Sequence, residues 1–266
     1  MKWVIVLIAN EPYINKALES INNIRENGKW KDDIVLLVSE SLYNNSQLKN
    51  YVEKYNIILR KVPNRSFTKN MELWNKQYNH PERSYVLQRE FMYNKFLVFD
   101  VYFKKWDIVF YIDAGCIIND SLERFKTSCE PSNCIYAHSD AYPYINNWVL
   151  KRQFDIEIFD DLNNKKDFID NYEMYFNKDY FQSTMFIYDT KIIEDETVET
   201  LFKLNEKYPI ATRMDQGILN LYFNCDRNLW KQIPIKDTKG FLYDFCKRPG
   251  YKDSDYCMIK RIIPFS

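Results

Sequence analysis

The stretch that decides the fold is WDIVFYIDAGCIIND, residues 106–120, a short apolar run that ends in an aspartate and a turn of small residues. Such a run predicts a strand buried on both faces, as in a parallel sheet covered by helices. Because open α/β folds bind ligands at the carboxyl ends of their strands, Asp113 is the first candidate functional residue. Just upstream, Phe91, Lys95 and Phe99 recur every four residues and predict a helix that leads into this strand.

Strand and helix patterns alternate on both sides of this stretch. Apolar runs predict further strands at residues 2–9, 33–38, 57–62, 133–137 and 179–188. Amphipathic patterns predict helices at residues 10–27, 46–55, 191–207 and 215–223. This alternation indicates an α/β fold with a mixed, mainly parallel sheet, right-handed crossovers and flanking helices. We expect one domain over residues 1–266, with a helical insertion at residues 145–178 that covers the site near the acceptor side.

Composition excludes several classes of protein. The chain has 37 basic and 37 acidic residues, so its formal net charge is zero and no overall field attracts nucleic acid. We therefore expect no nucleic-acid partner. The apolar run at residues 3–9 is too short to span a bilayer and has no signal-peptide cleavage site, so we expect no transmembrane segment and a cytoplasmic location.

Cysteine, glycine and histidine counts exclude the commonest motifs. The six cysteines include no CxxC pair, which argues against a zinc site and favours reduced thiols, although Cys129 and Cys134 could pair in an oxidising compartment. The five glycines form neither GxGxxG nor a P-loop. With two histidines, His80 and His138, an HExxH metalloprotease motif is absent.

Three separate segments resemble a known family, in the family's own order. They are Lys95 ahead of YIDAG at 111–115, DYFQSTMFIY at 179–188 and DQGILN at 215–220, of which the last is the most specific. Together they resemble the retaining, glycogenin-like branch of the nucleotide-sugar glycosyltransferases with the GT-A fold. The resemblance implies a Rossmann-like sheet and a hexosyltransferase-like enzyme.

The resemblance also implies a donor-binding set. Asp113 would bind a metal ion or the nucleotide ribose, and Lys95 the nucleotide or its phosphates. The full set that it implies is Lys95, Asp113, Ala114, Gly115, Gln182 and Ser183. The residues alone leave alternatives open: Asp113 could cap a helix, Lys95 could be a solvated helix lysine, and Gln182 could be a polar strand end.

The same resemblance implies three catalytic residues. Asp215 would orient donor hydroxyls, Gln216 would lie near the anomeric carbon, and Asp140 would contact the donor sugar. Such polar groups suit the chemistry, because sugar transfer creates positive charge on the sugar and negative charge on the departing diphosphate. The alternatives are that Asp215 is only a helix N-cap and that Asp140 belongs to a plain turn before Pro143.

The sequence departs from the family pattern at the metal site. Gly115 stands where the second aspartate of Asp-x-Asp is expected, and no histidine follows His138. Dependence on Mn²⁺ or Mg²⁺, with Asp113 as the metal ligand, is therefore an open expectation, since such ions can use one carboxylate plus substrate phosphates. Lys239, or Lys247 with Arg248, could instead neutralise the diphosphate.

These observations lead to a ranked set of functions. We expect transfer of a sugar from a nucleoside-diphosphate sugar, with UDP as the nucleotide and retention of configuration, to an unknown glycan, protein or small-molecule acceptor. The alternative is a non-catalytic nucleotide-sugar or glycan-binding protein on the same fold. A nucleotidyltransferase is disfavoured because no glycine-rich loop follows the first strand. Candidate stacking surfaces for a base or sugar are Trp74, Tyr78, Tyr142, Tyr144 and Trp148.

Overall fold

The structure is a computed structural model that describes residues 1–78, 90–141, 148–245 and 250–260. Its strands are β1 (Trp3–Ala9), β2 (Asp33–Val38), β3 (Ile58–Lys61), β4 (Ile108–Ile112), β5 (Cys116–Ile118), β6 (Ile135–Ser139), β7 (Phe181–Asp189), β8 (Trp230–Gln232), β9 (Lys236–Asp237), β10 (Gly240–Asp244) and β11 (Tyr256–Lys260). Its α-helices are α1 (Ile14–Glu26), α2 (Glu40–Tyr43), α3 (Ser46–Lys54), α4 (Thr68–Tyr78), α5 (Glu123–Ser128), α6 (Leu162–Tyr172), α7 (Thr197–Lys207) and α8 (Asp215–Leu219).

The main sheet has the strand order β3-β2-β1-β4-β7-β6-β8. The first four strands in this order, β3, β2, β1 and β4, pair in parallel, and β7 pairs antiparallel with both β4 and β6. The predicted strand before Asp113 is β4, and all five of its residues are buried. The carboxyl ends of β1 and β4 therefore meet at one edge, as expected for ligand binding in a sheet of this kind.

Both faces of the sheet are covered. Along β1, Val4 and Val6 pack into one hydrophobic cluster, and Ile5 and Leu7 pack into a second cluster on the opposite face. This alternation follows from the two-residue period of a strand. Helices α6, α7 and α8 contribute to the first cluster and α1, α3 and α5 to the second. No helix in the described ranges is long and apolar enough to cross a membrane.

The segment upstream of β4 corrects a helix prediction. It consists of two 3₁₀-helices, Phe91–Phe99 and Val101–Lys105, rather than one α-helix. A 3₁₀-helix has three residues per turn, so residues four apart lie on different sides of it. Every residue from Tyr93 to Phe99 is buried, so Lys95 can face the sheet edge while its apolar neighbours fill the core.

Part of the predicted helical insertion lies in the described residues. Residues 148–178 contain α6 and short 3₁₀-helices at Leu150–Gln153, Ile156–Ile158 and Glu173–Tyr175. Phe154 forms a β-bridge with Ala211, just before α8. The segment is thus attached to the start of α8, which brings the end of the first 3₁₀-helix close to the site. That residues 1–266 form one domain, and that this insertion lies on the acceptor side, both stay predictions.

The tail from Lys231 onward, where we predict no strand, contributes three strands to a second sheet, the tail sheet. Its strand order is β5-β11-β10-β9, and β11 runs antiparallel to β5. Lys260, at the end of β11, pairs with Cys116, which directly follows the acidic turn formed by Asp113, Ala114 and Gly115. The aromatic and β-branched residues of this tail are typical of strands, and the sheet brings Lys260 to the functional edge.

Candidate active site

A pocket of about 300 Å³ opens at the carboxyl ends of β1 and β4. Six of the predicted site residues line it: Lys95, Asp113, Ala114, Ser183, Asp215 and Gln216. The other lining residues are Ile8, Ala9, Asn10, Tyr13, Phe91, Met92, Thr184, Arg213, Met214 and Lys260. The structure thus brings together the three segments on which the family resemblance depends.

Lys95 joins these segments at the centre of the pocket. Its Nζ lies 3.3 Å from Asp113 Oδ1 and 3.1 Å from Asp215 Oδ2, and it donates a 3.2 Å hydrogen bond to the carbonyl of Ser183. The side chain is 2% exposed, so the alternative of a solvated lysine is wrong. Burial opposes the ammonium form, yet the two carboxylates raise the pKa of Lys95 above its usual value.

Asp113 lies on the partly open side of the pocket. Its carboxylate accepts a hydrogen bond from the Tyr111 hydroxyl, and its side chain is 14% exposed. The turn after it leads into β5 rather than into a helix, so the helix-capping alternative for Asp113 is wrong. The carboxylate is therefore available at the sheet edge, held between Tyr111 and Lys95.

Asp215 lies on the closed side. It is the first residue of α8, whose N-cap position is taken by Met214, so the N-cap alternative for Asp215 is also wrong. Full burial raises the pKa of the Asp215 carboxyl, with Lys95 acting in the opposite direction. Met214 has φ +53° and ψ −118°, a strained backbone for a residue with a side chain. Such strain is typical of functional sites, where the surroundings impose it.

Gln216 is anchored at both ends of its amide. Its Oε1 accepts a 3.1 Å hydrogen bond from the Ser183 amide, and its Nε2 donates to Gln153 Oε1 at 2.9 Å and to Asp140 Oδ2 at 3.4 Å. Gln153, which sequence reasoning missed, ends a short 3₁₀-helix of the insertion and belongs to no family motif. These contacts fix the Gln216 side chain in the wall of the pocket.

Asp140 lines a second pocket beyond this wall rather than the first. This pocket, of about 250 Å³, is lined by Asp140, Trp148, Arg152, Gln153, Tyr180, Thr212 and Arg213. The Tyr180 hydroxyl donates a 2.8 Å hydrogen bond to Asp140 Oδ2. Burial raises the pKa of the Asp140 carboxyl above its ordinary value. Arg213 lines both pockets, which therefore adjoin.

The structure does not place Gln182 or Gly115 in the pocket lining. Gln182 precedes Ser183 on an extended strand and so faces the opposite side, where Tyr243 donates a 3.1 Å hydrogen bond to its Oε1. The pairing of β6 with β7 shifts register between Ala137 and Ser139, an irregularity of the kind that redirects side chains near active sites. Gly115, at φ +85°, instead shapes the acidic turn.

The tail contributes a different lysine from those suggested by the sequence. Lys260 lines the pocket and donates a 2.5 Å hydrogen bond from Nζ to the carbonyl of Ala114. Lys239 lines a separate groove with Arg124, so it does not reach the site. Lys247 and Arg248 lie outside the described residues. Lys260 reaches the site only through the pairing of β11 with β5, which no local sequence pattern predicts.

Of the aromatic candidates, Trp148 lines the second pocket. Tyr142 and Tyr144, and the side chains of Trp74 and Tyr78, lie outside the described part of the structure. Within the described ranges, no group of three or more His, Cys, Asp or Glu side chains is placed to hold a metal ion.

Comparison with known proteins gives one family. Residues 4–239 match the model described as glycosyl transferase family 8. No curated protein matches the sequence.

Several solved structures share the fold. A galactosyltransferase, LgtC, in complex with donor and acceptor sugar analogs, has a TM-score of 0.52 and 14% identity over 90% of this chain and 75% of its own. The mannosyltransferase Ktr4p from S. cerevisiae, in complex with GDP, has a TM-score of 0.54 and 11% identity over 87% and 69%. The Mn/GDP form of core-mannan synthase A from Aspergillus fumigatus has a TM-score of 0.52 and 8% identity over 87% and 72%. The predicted GT-A fold is confirmed.

Proposed function

The chain belongs to glycosyl transferase family 8, and we propose that it transfers a sugar from a UDP-sugar to an acceptor hydroxyl with retention of anomeric configuration. Family membership makes the protein an enzyme, a glycosyltransferase that uses a nucleotide sugar. One observation carries the proposal of this particular site: Lys95 lies within ion-pair distance of both Asp113 and Asp215 at the ligand-binding edge of the sheet.

An adjoining pocket supports a place for the nucleobase. This pocket, of about 300 Å³, shares Asn10 and Phe91 with the first one and continues toward Ser39 and Asn94. Within the described residues, the buried Oδ1 atoms of Asn10 and Asn94 accept no hydrogen bond. Because a buried acceptor without a partner is costly, these atoms favour a ligand with an N–H donor, which uracil has. The choice of UDP over GDP follows the family resemblance.

The closed side of the first pocket supports a place for the donor sugar. The Asp215 carboxylate can orient sugar hydroxyls and offset positive charge that develops at the anomeric carbon. Gln216 carries an amide, which takes up no proton at neutral pH and so is no general base. A neutral group at this position agrees with a retaining reaction in which the acceptor attacks from the side of the departing diphosphate.

The second pocket supports an acceptor site. It shares a wall with the first pocket, formed by Gln216 and its partners Asp140 and Gln153. We assign the acceptor hydroxyl to this side, under the helical insertion. Its class, a glycan, a protein or a small molecule, stays open in this proposal.

A donor screen tests the proposed function. Hydrolysis and transfer are measured over UDP- and GDP-sugars with glycan acceptors, and the anomeric configuration of the product is assigned by proton NMR. We expect turnover of a UDP-sugar, retained configuration, loss of turnover in Asp215→Asn and Gln216→Ala, and unchanged turnover in the matched exposed variant Lys239→Ala. A product of inverted configuration would refute retention, and a preference for a GDP-sugar would refute the choice of UDP. UDP binding without turnover of any donor would favour the binding-protein alternative.

A cytoplasmic location is a further part of the proposal. The five described cysteines, Cys116, Cys129, Cys134, Cys225 and Cys257, are free and buried. Free thiols suit a reducing compartment. Alkylation of the protein in its native cells should give fully labelled thiols after unfolding, and a Cys129–Cys134 disulfide there would contradict this location.

A further inference from the structure

A lysine occupies the position in which a second acidic metal ligand would be expected. A Cβ placed on Gly115 would lie 3.5 Å from Lys260 Nζ. The same ammonium donates a 2.5 Å hydrogen bond to the carbonyl of the preceding residue, Ala114. The acidic turn therefore lacks a carboxylate at residue 115 and has a positive charge from the tail sheet against it.

The remaining groups do not fit a resident divalent ion. Asp113 Oδ1 accepts from the Tyr111 hydroxyl and lies 3.3 Å from Lys95 Nζ. Asp215 Oδ2 lies 3.1 Å from the same ammonium. A metal ion at this turn would find carboxylates already shared with Lys95 and would also face the ammonium of Lys260. Divalent ions of this kind are held by several oxygen ligands, and at this turn the named carboxylate oxygens are already engaged, no second carboxylate follows Asp113, and an ammonium lies where one would be expected.

The two lysines of the pocket differ in how much of their charge is compensated. Lys95 is buried between two carboxylates, so its charge serves mainly to hold them. No carboxylate among the described residues forms an ion pair with Lys260, which is also only partly buried. An ammonium has three N–H donors, and Lys260 uses one of them on Ala114. The others can face an anion in the pocket.

We propose that Lys260 binds the diphosphate of the donor and neutralises it as it departs, so that transfer proceeds without a divalent metal ion. This inference rests on the proposed function. In the reaction, the bond between the anomeric carbon and the diphosphate oxygen breaks, and its electron pair goes to that oxygen. The acceptor oxygen bonds to the anomeric carbon, and its proton passes to the departing diphosphate. The ammonium of Lys260 keeps its protons and stabilises the new negative charge through hydrogen bonds.

The strand that carries Lys260 is rigidly anchored, which suits this role. It lies at the end of β11, opposite Cys116 of β5, and the two strands form part of the tail sheet. Cys257 and Met258, on the same strand, are fully buried in a core cluster. A lysine whose strand is anchored in this way presents its charge from a fixed point, which reduces the entropy lost on binding phosphate.

Calorimetric titration with UDP tests the proposal by binding rather than by turnover. We expect wild-type protein to bind UDP equally well in EDTA and in Mn²⁺, and Lys260→Ala to bind it about tenfold or more weakly, a loss of about 1.4 kcal/mol. Lys260→Arg should retain much of the affinity. Uridine, which has no phosphate, should bind wild type and Lys260→Ala alike, and this shows that the variant is folded.

The outcomes separate this inference from the proposed enzyme activity. The matched control is Lys239→Ala, which removes an exposed lysine between β9 and β10 of the tail sheet. This variant should bind UDP as wild type does. Loss of UDP binding in EDTA with recovery in Mn²⁺, or unchanged UDP affinity in Lys260→Ala, would overturn the inference. If UDP binds as predicted but no donor is turned over, the role of Lys260 in binding stands and the proposed transfer fails.

A double variant tests whether the two charges replace each other. Lys260→Ala combined with Gly115→Asp removes the ammonium and adds a carboxylate at the turn. The space around residue 115 is open apart from Lys260 Nζ and Lys16 Cδ, and aspartate tolerates the left-handed backbone better than most residues. Mn²⁺ should raise the UDP affinity of this double variant but not that of wild type. If Mn²⁺ leaves the UDP affinity of the double variant unchanged, a carboxylate with a metal ion does not replace the ammonium of Lys260.

Discussion

The two sides of the donor pocket are built in opposite ways. On the closed side, Asp215 and Gln216 are buried and linked to Lys95, Ser183 and Gln153 by ion pairs and hydrogen bonds. On the open side, the turn of Asp113 is followed by a glycine, and Lys260 reaches it from a separate sheet. The closed side depends on a network in which each group needs the others. On the open side, Lys260 presents its charge without an ion pair to any described carboxylate.

The difference has an energetic cause. A buried carboxylate is stable only while its partners remain, so each substitution on the closed side leaves a charged or polar group without compensation. A partly exposed ammonium interacts with water as well as with its ligand, so its removal affects ligand affinity more than stability. The closed side should therefore govern folding and turnover together, and the open side mainly donor binding.

The largest effect is expected at Lys95, where the two sides meet. Lys95→Ala leaves the carboxylates of Asp113 and Asp215 without their shared cation, which should cost about 3–5 kcal/mol of folding free energy and abolish turnover. Urea unfolding measures the first effect and donor hydrolysis the second. A Lys95→Ala protein with wild-type stability would show that the carboxylates do not depend on this pair.

The next effect is expected at Gly217, which lies behind Gln216. A Cβ there would approach Phe154 Cε1 to 2.9 Å and the Ala211 Cβ to 3.1 Å. Gly217→Ala should cost about 1–3 kcal/mol through overpacking and reduce turnover by displacing Gln216. The matched variant is Gly250→Ala, which meets no atom within 4 Å but has φ +84°. It should destabilise by strain alone and leave turnover intact. Equal turnover in the two variants would show that overpacking at Gly217 does not displace Gln216.

A smaller effect is expected at Gln153. Gln153→Ala removes the acceptor of the 2.9 Å hydrogen bond from Gln216 Nε2 and leaves a buried donor dependent on Asp140 alone. We expect about a tenfold loss in kcat, corresponding to about 1.4 kcal/mol, with little change in the KM for donor. Gln153→Glu should restore part of the rate, because a carboxylate oxygen accepts the same bond. A change confined to KM would show that Gln153 acts in binding instead.

The smallest effect is expected from pH. Burial raises the pKa values of both Asp140 and Asp215. The native state therefore binds protons more tightly than the unfolded state, and the resulting stability is present below the ordinary aspartate pKa and lost as pH rises through the raised native values. Turnover that needs Asp215 ionised should fall on the acid side at a pH above 3.8, the ordinary value.

The pH prediction has its own control at the second pocket. Asp140→Asn should make unfolding free energy less dependent on pH, because one of the two raised groups is gone. It should leave the acid limb of turnover in place, because Asp215 remains. Disappearance of the acid limb in Asp140→Asn would assign that titration to Asp140. These curves separate the two buried carboxylates and so sharpen the description of the closed side.

The closed side and the strand that ends at Asp113 were predictable from the sequence. Asp215 and Gln216 follow directly from the DQGILN segment, and the apolar run before Asp113 identifies β4, because a short, continuous apolar run is typical of a strand buried on both faces. It was harder to predict which strand side chains point into the pocket. Gln182 and Ser183 are polar neighbours on β7, and the tertiary contacts distinguish them: the carbonyl of Ser183 accepts from Lys95 Nζ, whereas Gln182 accepts from the Tyr243 hydroxyl.

The cation of the open side could not be predicted, because it comes from a distant part of the chain. Lys260 has no motif, and its position depends on the pairing of β11 with β5, a contact between residues far apart in sequence. The 3₁₀ geometry of Phe91–Phe99 was equally hidden, since burial on all sides removes the amphipathic pattern that distinguishes helix periods. Long-range pairing and all-round burial are tertiary effects that local patterns do not encode.

The most direct test of the donor site is the rate of UDP-sugar hydrolysis by the wild-type enzyme, measured once in excess EDTA and once in excess Mn²⁺. If Lys260 supplies the positive charge at the acidic turn, the two rates should agree within about twofold, less than about 0.5 kcal/mol in activation free energy. A rate that disappears in EDTA and returns with Mn²⁺ would contradict the assignment and place a metal ion beside Asp113.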